Sequence, residues 1–475
     1  MPGRNDELCA LSLSDVSQLI ARRAVSSVEV TEAVLERIER LDPALNAFVT
    51  VTSDLALSTA AQADAEIARG AYRGPLHGVP YSLKDLVLTK GIRTTASARI
   101  LADWVPDTDA TLYTRLASSG AVLVGKTNML EFAYGEIHPD FGPALNPWNT
   151  DFGTSGSSSG SGAAVAAGLG FGTIGSDTGG SIRFPAAING IVGHKPTYGL
   201  VSRAGAIALS WTLDHLGPMT RTARDAALML DVIAGHDPAD PASAPSRPGG
   251  YAAHVDRPLR PLRLGVAVPE ADDALVPEVQ AAYERSIETM RGLGHTIVEF
   301  SMPEPRLVVR ALLAILYPEA TSIHLKWLRE RPDDYAPNTR TRLEIGASVP
   351  GTVYLRGRRA ASVIVERYRR VFDNVDVLLT PMAAYDGYLA SDPPVDPVSK
   401  TGDRLGPSMR MSGPFNVTGL PAVSVPSGVS SRGLPLSVQF VGKPFADGQV
   451  LQVAHAYQEA TRQHVPRPAG NPYVV

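Results

Sequence analysis

Two glycine-hinged serine loops constrain this chain more than any other feature. The first reads Gly153-Thr-Ser-Gly-Ser-Ser-Ser-Gly-Ser-Gly162 and the second Gly175-Ser-Asp-Thr-Gly-Gly-Ser-Ile-Arg-Phe-Pro185. Glycine at this density lets the backbone approach whatever the loop faces, because no Cβ stands in the way. Such loops hold one shape only when a scaffold of strands and helices presents them. Upstream lies Lys84, in Leu76-His-Gly-Val-Pro-Tyr-Ser-Leu-Lys-Asp85, flanked by Val79, Tyr81, Leu83, Leu86 and Val87. A lysine in an apolar segment is a candidate for burial, and burial disfavours its charged form. Together the three segments suggest a serine hydrolase whose base is a lysine and not a histidine.

The scaffold is legible in outline. Ser26-Ser-Val-Glu29 forms a capping box, and Val30, Val34, Ile38 and Leu41 follow at helical spacing until Asp42-Pro43. An alanine-rich helix is predicted over residues 55–68 and another over about 108–117, ahead of a buried strand at Ala121–Val124. After a Pro, Ala, Gly and Asp-rich stretch, Gly235–Pro258, the alternation resumes. Strands are predicted at 262–268, 296–300, 375–381, 422–426 and 436–440, with helices at 277–293 and from Asp447 to about Arg462. Repeated β/α alternation implies one large α/β sandwich over 1–475. It comprises N-terminal helices (1–70), a catalytic core (71–235), a surface linker (236–258) and a second half (259–475). The polar, Pro-rich stretch Tyr385–Gly413 is a lid or specificity-loop candidate, or an inert surface excursion.

Composition excludes several classes. A formal charge of −4 gives no broad field for nucleic acid or an anionic membrane. The single cysteine, Cys9, cannot form an internal disulfide. No apolar run reaches the ~18 residues of a membrane span, and the first residues carry no apolar signal region, so a soluble cytoplasmic protein is expected. No His/Cys/Asp cluster has metal-ligand spacing, so no metal is expected.

Three familiar patterns match by letter. Gly120-Ala-Val-Leu-Val-Gly-Lys-Thr127 fits a phosphate-binding loop, but its central residues themselves look like a strand. Gly170-Phe-Gly-Thr-Ile-Gly175 fits a dinucleotide fingerprint, but a small-residue helix precedes it and Lys195 stands where a ribose-binding acid belongs. Gly156-Ser-Ser-Ser-Gly160 fits a nucleophile elbow with Ser158 as nucleophile and His194 or His215 as base, oriented by Asp214 or Asp225. An elbow needs a strand just before it, and Asn146–Gly153 is turn-like.

The lysine alternative accounts for more residues at once. Gly179 and Gly180 before Ser181 allow the N–H groups of Thr178, Gly179, Gly180 and Ser181 to converge on one oxyanion. Asp177 and Arg183 flank that loop, either to brace its backbone or as plain surface charges. Met129, Tyr134, Ile207 and Trp211 each sit beside a motif and are candidates for pocket lining or for ordinary core. Lys195-Pro-Thr197 and Asp214 read as residues that hold the fold.

Segments 76–85, 120–135, 153–168 and 175–218 resemble the amidase-signature family, and Val375–Pro381 with Gly419-Leu-Pro-Ala-Val-Ser-Val-Pro426 looks like its C-terminal half. The resemblance implies an α/β/α sandwich around a central mixed sheet. It also implies a Ser–cis-Ser–Lys triad of Ser181 as nucleophile, Ser157 as bridge and Lys84 as base. The substrate implied is a small-molecule amide, with carbamates and esters open to the same acyl-enzyme chemistry. No cofactor is implied, and a homodimer is. One departure is visible: Ser155 and Ser159 replace glycines of the usual first loop. Segments 210–218 and 234–240 look more like free-standing amidases than like the rival, a glutaminase subunit of a tRNA-dependent amidotransferase. A non-catalytic scaffold is disfavoured because all three triad positions are present.

Overall fold

Eleven strands join one sheet in the computed structural model, which describes residues 4–245, 249–268, 275–392, 406–462 and 471–475. In chain order they are β1 (Phe48–Val51), β2 (Pro80–Lys84), β3 (Val122–Thr127), β4 (Gly172–Asp177), β5 (Val192–Lys195) and β6 (His215–Thr220). There follow β7 (Arg263–Ala267), β8 (Thr296–Phe300), β9 (Val377–Pro381), β10 (Ala422–Val429) and β11 (Pro435–Gly442). Their spatial order is β1-β3-β2-β4-β6-β5-β10-β11-β9-β7-β8. β2 runs parallel to both β3 and β4, and β7 to both β8 and β9, while the remaining pairs are antiparallel. This is the expected mixed sheet of an α/β fold.

Helices bury it. Ala223–Ile233, Tyr251–Val255 and Asp447–Thr461 pack on one another, and Pro277–Gly292 lies against β9, β10 and β11. Pro305–Glu330 packs against Pro337–Ala347 and Gly351–Val371 as a further layer. Among the described residues, Pro305–Glu330 is the one helix long and apolar enough to cross a membrane. Over half of its most apolar window is buried within the fold, where Leu312 is core, as in a core helix.

Local chemistry explains most element ends. The Ser26–Glu29 capping box is present in both directions and starts the helix Ser27–Leu45. That helix overruns the expected stop at Asp42-Pro43 by one turn and ends with Asn46 in the left-handed region. Asp42 stays useful there, its carboxylate accepting the N–H groups of Ala47 and Phe48. The expected surface linker is also tied down at its start: Asp237 accepts from Ser202 Oγ and Asp240 from Arg203, and both aspartates are buried. Residues 246–248 of that stretch lie outside the described residues.

Candidate active site

β2 and β4 are parallel neighbours, so their C-terminal ends open on the same edge of the sheet, where open α/β sheets place their ligands. β2 ends in Lys84 and β4 in Asp177, the residue that opens the Ser181 loop. The helix Ser159–Ala166 brings Ser157 and Ser158 to the same place at its N-terminal end. The Gly156–Ser157 peptide is cis. Gly160 permits this approach, since a Cβ there would stand 2.2 Å from the carbonyl oxygen of Ala47.

Lys84 is fully buried, and its Nζ donates to Ser157 Oγ at 2.7 Å, Ser176 Oγ at 2.8 Å and Ser158 Oγ at 2.9 Å. Burial pulls its pKa well below the usual lysine range, against the opposing pull of Asp177 and Asp214. Hydroxyls, not carboxylates, are what the amine touches. A hydroxyl can turn to donate, so the neutral amine, with two N–H groups and one lone pair, is satisfied by the same three partners.

Asp177 braces the loop that carries Ser181. Its Oδ1 accepts from Gly180 N (2.7 Å), Asn416 Nδ2 (2.8 Å) and Arg183 Nη2 (3.1 Å). Its Oδ2 accepts from Arg183 Nε (3.0 Å), Ile182 N (3.2 Å) and Arg183 N (3.5 Å). Burial opposes its ionisation, but the Arg183 cation and these hydrogen bonds win and hold the carboxyl well below the usual range. Arg183 is itself fully buried and carries the brace onward to Ser412 O, Gln439 Oε1 and Asn416 Oδ1. Neither residue is a surface charge.

The brace changes the expected oxyanion donors. Gly180 N–H points at Asp177 and is spoken for. Among the described residues the N–H groups of Thr178, Gly179 and Ser181 meet no acceptor, and they remain as donors toward the cavity. Thr178 is fixed through its hydroxyl, which donates to Asp214 Oδ1 at 2.6 Å.

Ser157, Ser181, Thr178 and Gly179 line a cavity of ≈ 560 Å³. Its other walls are mainly apolar, with Leu130, Ile137, Leu312, Leu316, Phe184 and Met409 among them. Tyr134, a candidate for lining or core, is buried and lies in this lining, with the Arg342 guanidinium 5.3 Å over its ring. Ile207 and Trp211 line a second, smaller cavity instead. Met129 lines neither: its side chain is fully buried core, and its N–H donates to Ser97 Oγ and Asn128 Oδ1. The lid candidate meets the larger cavity with both of its ends, Tyr385, Tyr388 and Ala390 at one and Met409 at the other. Its central residues, 393–405, lie outside the described residues.

The rival patterns dissolve in this geometry. Val122–Thr127 and Gly172–Gly175 are buried strand residues, so neither glycine match forms a phosphate loop. No strand precedes Ser158, whose hydroxyl accepts from Lys84 and donates to Ser176 O at 3.2 Å. His194 pairs with Asp447, and His215 Nδ1 with the carbonyls of Leu213 and Asp177, so neither reaches a serine. Lys195 is also buried behind the loop, with Nζ donating to Pro196 O. The sequence did not single out Ser176, whose hydroxyl is the third partner of Lys84. A serine second from the end of β4, beside the strand that carries the lysine, was the available signal.

The amidase family model matches residues 29–451. A glutamyl-tRNA(Gln) amidotransferase subunit from Geobacter metallireducens is 38% identical, over 96% of this chain and 99% of that protein. The peptide amidase of Stenotrophomonas maltophilia superposes with a TM-score of 0.85 at 31% identity, over 96% of this chain and 98% of that one. A structure described as a vestigial protein complex revealing the origins of an s-triazine catabolic enzyme superposes at 0.88 with 32% identity, over 95% and 98%.

Proposed function

This chain belongs to the amidase-signature family and is an amide-hydrolysing enzyme; from that premise we propose that it is a stand-alone amidase working through a seryl acyl-enzyme with Lys84 as base. The observation that carries the proposal is the fully buried Lys84 amine bonded to Ser157, Ser158 and Ser176 with no carboxylate in contact. Desolvation without a counter-charge in contact favours the neutral form of an amine, and a neutral amine accepts a proton.

The steps follow from the residues. Lys84 takes the Ser157 proton as Ser157 takes that of Ser181, and Ser181 Oγ attacks the amide carbon. The Thr178, Gly179 and Ser181 N–H groups receive the oxyanion. Lys84 returns its proton through Ser157 to the leaving nitrogen, and water then releases the acid by the same relay. The apolar walls of the larger cavity suit an apolar acyl group. A cytoplasmic location and a homodimer accompany this proposal, and gel filtration with multi-angle scattering tests the second.

One observation favours a second reading, a glutaminase subunit: the 38% identity to a glutamyl-tRNA(Gln) amidotransferase subunit over nearly the whole chain. Both are tested by assaying the purified chain, alone, on a panel of amides that includes glutamine. Turnover of apolar-acyl amides by the chain alone is the expected result. Hydrolysis confined to glutamine, and only in the presence of partner subunits, overturns the stand-alone proposal.

A further inference from the structure

Two carboxylates grip the turn Ser210–Asp214, one from within and one from without. The turn is closed by its own backbone, with the N–H groups of Leu213 and Asp214 both donating to Ser210 O, at 3.0 and 2.8 Å. From within, Asp214 Oδ2 accepts from Leu209 N at 2.8 Å and Ser210 N at 2.9 Å, and its Oδ1 from Thr178 Oγ1 at 2.6 Å. From without comes Glu319, on the helix Pro305–Glu330 and 2% exposed. Its Oε2 accepts from Ser210 Oγ at 2.5 Å and Thr212 N at 3.2 Å. Its Oε1 accepts from Thr212 Oγ1 at 2.8 Å and from Tyr354 OH at 3.0 Å. Among the described residues neither carboxylate has an ion-pair partner, and Arg203 is engaged by Asp240.

A buried carboxylate held only by neutral donors costs more to bury than an apolar side chain of its size. What it supplies is geometry. A carboxylate only accepts, so every donor aimed at it has one orientation, and a fully satisfied polar network holds one arrangement. Glu319 fixes the Ser210 hydroxyl and the Thr212 backbone; the turn they belong to presents Asp214 to Thr178. Thr178 N–H is one of the three donors left toward the reaction cavity. Leu312 and Leu316, on the same face of the helix as Glu319, are walls of that cavity.

We propose that Glu319 is a positioning residue of the reaction: through the turn and Asp214 it sets the Thr178 N–H that receives the oxyanion. Glu319 itself lines neither cavity and touches no member of the triad. The proposal rests on the acyl-enzyme reading above and extends it to a helix of the outer layer.

The test compares Glu319→Met, which keeps length and burial without the carboxylate acceptors, with Glu319→Gln. The glutamine oxygen takes the place of Oε2, and its NH2 meets Thr212 Oγ1 and Tyr354 OH, hydroxyls that can turn to accept. With active sites counted by fluorophosphonate titration, kcat on the best amide should fall about 10–100-fold in Glu319→Met while KM stays within about twofold, the scale of a catalytic group displaced by about 1 Å. Glu319→Gln should keep kcat within about threefold. An aldehyde of the same acyl group forms a Ser181 adduct whose oxygen occupies the oxyanion site, so its affinity for Glu319→Met should fall by the factor lost in kcat/KM. A merely structural glutamate would move the melt and the active fraction, not that affinity. Unchanged kcat in Glu319→Met, or a loss carried by KM alone, overturns the proposal. An equal loss in Glu319→Gln also overturns it, by assigning the effect to charge. If Glu319→Met loses its cooperative melt, Thr212→Val decides, since it removes the hydroxyl that meets both Glu319 oxygens. A joint fall in kcat and aldehyde affinity then supports the proposal, and unchanged values overturn it. An unmodified protein that turns over no amide and leaves Ser181 unlabelled sinks the amidase reading, and this proposal with it.

Discussion

Asp177→Asn is the perturbation whose cost is most directly readable. Six donors converge on this one carboxylate, three on each oxygen. An asparagine keeps one oxygen and turns the other into an N–H donor. Either orientation of the amide therefore sets its N–H against three donors that previously met an acceptor. It also strips the charge partner from Arg183, a guanidinium with no exposure to solvent. Breaking a buried ion pair from one side costs about 3–5 kcal/mol, a large part of the roughly 5–15 kcal/mol that holds a domain together. Since Asp177 also fixes Gly180 and Ile182 on either side of Ser181, turnover should fall along with stability. Urea denaturation of both proteins at pH 7, with kcat on the best amide found, measures both effects. The contribution has a pH signature. The depressed carboxyl stabilises the fold above the unfolded pKa of about 3.9 and loses that contribution as pH falls below it, so the two proteins should converge in stability in strong acid. A destabilisation under about 1 kcal/mol with unchanged kcat would refute the brace.

Lys84→Ala should lower kcat by about 10²–10⁴, the usual worth of a general base, and stopped-time assays with the same amide would show it. In the unmodified enzyme the rate should rise with pH as the depressed lysine sheds its proton and then level off, whereas a histidine base would titrate near about 6.5. Between the folded pKa and the unfolded value of about 10.4 the unfolded chain binds the extra proton, so the stability penalty of burying Lys84 should shrink as pH rises. Gly160→Ala would set a Cβ 2.2 Å from Ala47 O and 2.7 Å from Asn128 N, both backbone, so a loss at or above about 3 kcal/mol and little soluble protein are expected. Ser155→Gly should stabilise the first loop by up to about 1 kcal/mol: Ser155 holds φ 60°, a left-handed conformation that costs a side-chain residue about 1–2 kcal/mol. Glycine's greater unfolded freedom returns part of that gain, and a thermal melt reads the balance.

The sequence was most legible where periodicity or capping chemistry was strong. The Thr296–Phe300 strand, the capping box at Ser26 and the final helix from Asp447 lie where local pattern puts them. β2 and β4 were not separable from their surroundings, because both are short, buried on every residue and interrupted by Lys84, Ser82, Gly172 or Gly175. Strands buried on both faces lose the alternation that marks a strand. The long helices Pro305–Glu330 and Gly351–Val371 escaped for other reasons: the first carries an internal Pro318, and the second is dense in arginine. At the site, Ser181 stood out by its glycine-rich loop and Lys84 by its apolar segment, while the bridging place of Ser157 came from the family resemblance. Ser176 and the engagement of Gly180 by Asp177 were not legible, since both depend on which strands lie side by side. Met129 and Ile207 show the converse limit, for nearness to a motif along the chain does not say which cavity, if any, a side chain faces.

The central claim, a serine at position 181 activated by a neutral lysine, is tested most directly by labelling the purified chain with a fluorophosphonate and mapping the adduct by mass spectrometry. A single adduct on Ser181, lost in Lys84→Ala while the variant keeps its melt, is the predicted result. An adduct on Ser158, or labelling of Ser181 at full rate without Lys84, would contradict it.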